Sequence, residues 1–157
     1  MEKILEILQG IIENIKKLIQ EQKTIVTIPP IDNIPIEIKD IPKYIWSTKK
    51  DARHSVRVIC DEEGLTLQEK NLICAVIDCE SGFDVKAKYK NIDGTYDIGI
   101  CQYNTYWYIG VGKPIASVEE ALNNPEKCVR IMIHQYKNGQ LRDWICYRTG
   151  KYRKFLV

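Results

Sequence analysis

Residues 79–107 read CESGFDVKAKYKNIDGTYDIGICQYNTYW, and the change of pattern inside this stretch decides the fold. Just before it, Leu72, Ile73, Val76 and Ile77 form an apolar helical face. Thr66-Leu67-Gln68-Glu69 is a capping box that opens this helix, because the Thr hydroxyl and the Glu carboxylate can each take an orphan backbone N–H. The helix is predicted to run to about Cys79 and to end at Gly82. Residues 84–107 lose the helical period and contain Asp93-Gly94, a hairpin-type turn dipeptide. Working outward, Ser117-Val118-Glu119-Glu120 reads as a second capping box. Asn124-Pro125 opens a further helix toward Lys137, stopped by Asn138-Gly139, and a last helix covers about 141–149 up to Gly150. The expected fold class is mainly α (α+β), with helices around a short β-hairpin near residues 90–103.

Two carboxylates stand on either side of that turn. Glu80 falls at the C-terminal end of the apolar helix, where apolar surroundings and the negative helix end both disfavour charge. A general acid needs such a setting to keep its proton near neutrality. Asp97 lies beyond the Asp93-Gly94 turn. Two carboxylates in unlike surroundings facing one groove are the minimum for cleaving a glycosidic bond. On its own a Glu/Asp pair is more often plain surface charge.

The neighbours sharpen the reading. Glu80-Ser81-Gly82-Phe83, then Asp93-Gly94-Thr95-Tyr96-Asp97-Ile98-Gly99-Ile100-Cys101-Gln102-Tyr103-Asn104, then Trp107, closely resemble the lysozyme superfamily. Its pattern is E-S-x-F, a turn, then D-[YF]-G-[ILM]-x-Q-I-N and an aromatic, shared by animal-type lysozymes and by lytic transglycosylases of phages and secretion systems. The resemblance covers roughly residues 66–152. It implies a lysozyme-like domain over 46–157 that cleaves the β-1,4 bond between N-acetylmuramic acid and N-acetylglucosamine in peptidoglycan, without a cofactor or metal. By the same resemblance Glu80 is the catalytic acid and Asp97 the nucleophile or stabilising carboxylate. Ser81, Gln102, Asn104, Trp107, Tyr108 and Tyr136 would be substrate-binding. Tyr136 begins Tyr136-Lys137-Asn138-Gly139, similar to a transglycosylase Y-N-x-G motif that Lys137 interrupts. Trp144, Tyr147, Gly150 and Tyr152 resemble the end of phage-type members. Asp97 favours hydrolysis and Tyr136 favours transglycosylation to a 1,6-anhydro end; a non-catalytic glycan-binding or structural role is the alternative of a different class. Cys101 and Tyr103 depart from the usual Leu/Met and Ile, and the cysteines do not match the disulfide positions of animal lysozymes.

The first 45 residues lie outside this pattern. Residues 1–23 read as an amphipathic heptad helix, with Ile4, Leu8, Ile11, Ile15 and Leu18 on an a/d seam widened by Leu5, Ile12 and Ile19. Residues 24–45 form an Ile/Pro-rich linker or strap with Pro29, Pro30, Pro35 and Pro42. Both point to self-association or docking in a larger assembly, or to packing on the chain's own domain. Because the resemblance implies an enzyme that must reach peptidoglycan and no signal peptide is visible, the expected location is a virion or phage tail, or host cytoplasm before release to the wall.

Composition fits one globular domain with an appendage: 157 residues, 45% hydrophobic and 28% charged. No apolar run is long enough for a transmembrane helix, and a net charge of +2 does not indicate nucleic-acid binding. Charge is nonetheless uneven. Residues 60–126 hold five Lys against twelve Asp/Glu, whereas 127–157 hold eight Lys/Arg against Asp143 alone. This basic end is a solvated face or a patch for a polyanion such as a bacterial cell wall. Six cysteines show no C-x-x-C pair, which disfavours a zinc ribbon, and they read as reduced apolar residues or as three disulfides. A cysteine peptidase would need His54 or His134, and no local motif supports one. Gly110-Val111-Gly112 lacks the rest of a nucleotide loop.

Overall fold

The computed structural model describes residues 9–17 and 42–156. The described helices are α1 (Lys49–Glu62), α2 (Leu67–Ser81), α3 (Val118–Asn123), α4 (Pro125–Lys137) and α5 (Ile145–Arg148), with 3₁₀ turns at Leu141–Asp143 and Lys151–Phe155. Between α2 and α3 lie strands β1 (Lys88–Lys90), β2 (Tyr96–Ile98) and β3 (Tyr103–Asn104), in an antiparallel sheet of order β1-β2-β3. The fold is mainly helical with a small sheet, as the pattern predicts, and the sheet has three strands rather than a two-stranded hairpin.

Local signals place α2. Thr66 and Glu69 form both halves of the capping box, and Gly82 ends the helix at φ 59°. Its centre, Ile73 to Ile77, is buried, and the helix packs on α1, α5 and the 3₁₀ turn Lys151–Phe155. Burying Ile and Val side chains contributes roughly 1.5–3 kcal/mol each, so α2 is the axis on which the rest is built. α1 buries Ala52, Ser55, Val56, Ile59 and Cys60 at helical spacing. Asn124 caps α4 with Pro125 at its start, and Asn138 ends it as expected. At α3, Ser117 accepts the Glu120 N–H, but the Glu120 carboxylate takes the Ala116 N–H and Lys127 instead of closing a capping box.

Two expectations change. The helix expected over 141–149 is broken at Trp144, which is extended (ψ 123°), because its buried indole donates 2.7 Å to the Cys101 carbonyl. Residues 43–45, grouped by sequence with the strap, are bound to α1. The Ile45 N–H donates to Ser55 Oγ at 2.9 Å, and Tyr44 donates to Glu62. Residues 9–17 are helical, with Ile11, Ile12 and Ile15 about half exposed. Ile4, Leu5, Leu8, Leu18, Ile19 and the strap over 24–41 lie outside the described residues.

All six cysteines are free, five of them buried and Cys79 partly so. Burial pushes Cys60 and Cys128 up to about 12 and Cys101 well above its ordinary value. They are inert apolar side chains at neutral pH. Among the described residues no helix is long and apolar enough to cross a membrane.

Candidate active site

The end of α2 and the sheet face each other across a cleft of about 980 Å³. Glu80, Asp97, Gln102, Asn104, Trp107 and Tyr108 all line it. The helical wall delivers Glu80 from the penultimate position of α2. Its carboxylate is half-buried and accepts the Cys146 N–H at 3.3 Å, at the start of α5. Burial and this carboxylate push the Cys146 thiol up. The next residue, Ser81, turns away: its hydroxyl donates 2.7 Å to the Ile100 carbonyl and ties the helix end to the segment after β2.

The sheet wall delivers Asp97 by strand alternation. Successive side chains point to opposite faces. Tyr89, Asp97 and Asn104 are cross-strand partners and line the cleft, while Ile98 is buried in the core and Tyr103, also buried, closes the cleft floor. Asn104 Nδ2 donates to Asp97 Oδ1 at 2.9 Å and to Thr95 Oγ1 at 3.0 Å, and its Oδ1 accepts the Tyr106 N–H at 2.9 Å. Asn104 therefore orients Asp97 rather than offering free donors to a sugar. Gln102 sits at φ 52° and donates to the Gly99 carbonyl at 2.8 Å. Gly99 fits only as glycine: its φ is +75°, and a Cβ would lie 2.8 Å from the Ala121 carbonyl oxygen.

Aromatic side chains finish the cleft. Trp107 is 70% exposed at its lip, with Tyr106 edge-on at 4.7 Å. Tyr108 stacks on Trp144, donates 2.7 Å to Asp143, and accepts from Gln135 at 2.9 Å. Burial and the Asp143 carboxylate push its hydroxyl up to about 12, so it remains a donor. Tyr103 is fully buried and bonds to the Cys128 carbonyl, so both departures from the usual pattern, Cys101 and Tyr103, are core.

Ser81 and Tyr136 do not line the cleft. The Tyr136 hydroxyl donates 2.9 Å to Glu69 at the opposite end of α2. Glu69 precedes Glu80 by eleven residues, about 16 Å along the axis at 1.5 Å per residue, so Tyr136 braces the capping box instead of the acid. Tyr89, Asn91, Asp143, Ile145 and Arg148 also line the cleft without a signal in the motif; the alternation of β1 marks Tyr89, but the others depend on chain packing. A separate hollow of about 680 Å³ along α4 has its Glu126 bound by Arg130, and offers no free carboxylate pair.

No family model matches the chain, and no curated protein matches it. Among solved structures, the chain is similar to the crystal structure of a lysozyme from Litopenaeus vannamei. The identity is 14% and the TM-score 0.49, over 62% of this chain and 83% of that one.

Proposed function

We propose that this chain is a peptidoglycan-cleaving muramidase acting between N-acetylmuramic acid and N-acetylglucosamine. The observation that supports it most is that one cleft is lined by two carboxylates on unlike walls, with an exposed Trp107 at its lip. Glu80 gives its proton to the glycosidic oxygen as the bond to C1 breaks, and Asp97 stabilises the oxocarbenium-like centre. Water then adds to C1 and returns a proton to Glu80. Trp107 offers a flat apolar face to a sugar ring, and Gln102 and Tyr108 offer polar atoms. If the muramic acid's own 6-hydroxyl attacks in place of water, the product is a 1,6-anhydro end and the enzyme is a lytic transglycosylase. The Asp97–Asn104 hydrogen bond favours hydrolysis, because it holds a carboxylate ready beside the cleft. Mass spectrometry of fragments released from purified peptidoglycan tests this. Reducing ends are expected; ends lighter by one water mean transglycosylation, and no release at all means a binding or structural protein.

Residues 1–45 tether the enzyme to a larger assembly such as a virion or phage tail, or join copies of the chain. The half-exposed Ile11, Ile12 and Ile15 on one helical stretch support this. Removing residues 1–41 should leave glycan cleavage intact and abolish assembly; loss of folding would overturn the tether.

A further inference from the structure

Of the eight cations in residues 127–157, three are paired on α4 and three arginines gather in one groove, with Lys151 and Lys154 outside both sets. Lys127, Arg130 and Lys137 are paired with Glu120, Glu62, Glu63 and Glu126. Arg142, Arg148 and Arg153 form no ion pair among the described residues, yet they line one groove of about 290 Å³ with Tyr147 and Tyr152. The two tyrosines stack at 5.2 Å, and the Arg153 guanidinium lies over the bare face of Gly150. Three guanidinium groups gathered in one groove without acids repel each other, and an anionic ligand would relieve that repulsion. Guanidinium forks suit planar carboxylates, which they can hold bidentately. Arg148 also lines the large cleft, so groove and cleft share a wall at that residue.

We propose that this groove binds the carboxylates of the peptide stem that branches from muramic acid, so that the enzyme selects stem-bearing glycan over bare glycan. The inference rests on the muramidase reading of the cleft. A branch leaves a glycan sideways at the sugar being cleaved, which is where a groove joined to the cleft at Arg148 can receive it. A phosphodiester wall polymer has no such link to the cleavage point, and the position of the groove beside the cleft at Arg148 favours the stem.

The test compares glycan strands with stems intact and strands stripped of stems by an amidase, both freed of phosphodiester polymers. Wild type is expected to cleave stem-bearing strands roughly fivefold to tenfold faster in kcat/KM. Arg142→Gln/Arg153→Gln should lose that preference and cleave bare strands at the wild-type rate. Arg142→Lys/Arg153→Lys keeps the charge without the fork and should fall between them. The preference should also shrink from 50 mM to about 500 mM salt, because exposed charges are screened. Equal cleavage of both substrates by wild type, or an unchanged preference in the Gln variant, overturns the inference. So does a preference seen only when phosphodiester polymers are left on the wall. Cleavage of neither substrate refutes the muramidase reading itself.

Discussion

The two walls of the cleft are built in different ways. The helical wall carries Glu80 on a fifteen-residue helix whose middle is wholly buried. The sheet wall carries Asp97 on a three-residue strand whose position depends on side-chain hydrogen bonds from Asn104 and on a backbone contact at Gly99. One wall is held by core packing along the whole centre of a helix, and the other by the buried Ile98 and Tyr103 together with a few directed contacts. The difference teaches that stability and activity should separate between them: damage to the helical wall unfolds the protein, and damage to the sheet wall misplaces a carboxylate.

The largest stability effect is expected from Ile77→Ala, which empties a fully buried site in α2. It should cost about 2–5 kcal/mol in urea unfolding, with the remaining folded protein retaining the proposed glycan cleavage. Gly99→Ala tests the sheet wall's backbone anchor. A left-handed alanine and a Cβ 2.8 Å from the Ala121 carbonyl oxygen should together cost about 2–4 kcal/mol. If Gly99→Ala is neutral, the sheet is less tightly seated than its contacts indicate. Asn104→Ala removes the partner of Asp97 and the acceptor for the Tyr106 N–H. It should cost only about 1–2 kcal/mol while lowering turnover roughly tenfold, about the rate change carried by one lost hydrogen bond. A variant that loses stability but not turnover would join the two walls into one structural class and break the contrast.

The smallest effect is with pH, and it belongs to the helical side. Lys43, Tyr44 and Arg130 hold Glu62 at about 2, and Lys137 with Arg130 holds Glu63 below the usual carboxylate range. Thr66 does the same for Glu69, and Lys127 for Glu120. Folded-state values lie below unfolded ones, so the unfolded chain binds more protons as pH falls. The stabilisation is complete above about pH 4.5 and is lost toward pH 2. Melting temperature should fall across that window, and Arg130→Met should flatten the fall. A melting temperature that rises on acidification contradicts the pairing.

Legibility from sequence followed the range of the interactions. The capping box at Thr66 and the stops at Gly82 and Asn138 are set within four residues, so they could be read directly. The row that carries Asp97 and Asn104 follows from strand alternation and the resemblance of residues 80–107. α1 was not delimited, because its buried stripe is partly made of Ala52, Ser55 and Cys60, which are weak apolar signals. The break at Trp144 depends on a carbonyl forty-three residues away. The motif resemblance points Tyr136 toward the acid, yet its hydroxyl donates to Glu69 at the far end of α2. Asp143 and Arg148 reach the cleft only through the turn after α4, which no local pattern marks.

Glu80 is proposed to supply the proton for glycan cleavage. Glu80→Gln keeps the side chain's shape and can still accept the Cys146 N–H, but it has no proton to transfer. Soluble fragments released from purified peptidoglycan by wild type and Glu80→Gln should be measured alongside their melting temperatures. The account predicts a rate lower by ~10²–10⁴-fold at an unchanged melting temperature. A Glu80→Gln protein that releases fragments at the wild-type rate would contradict it.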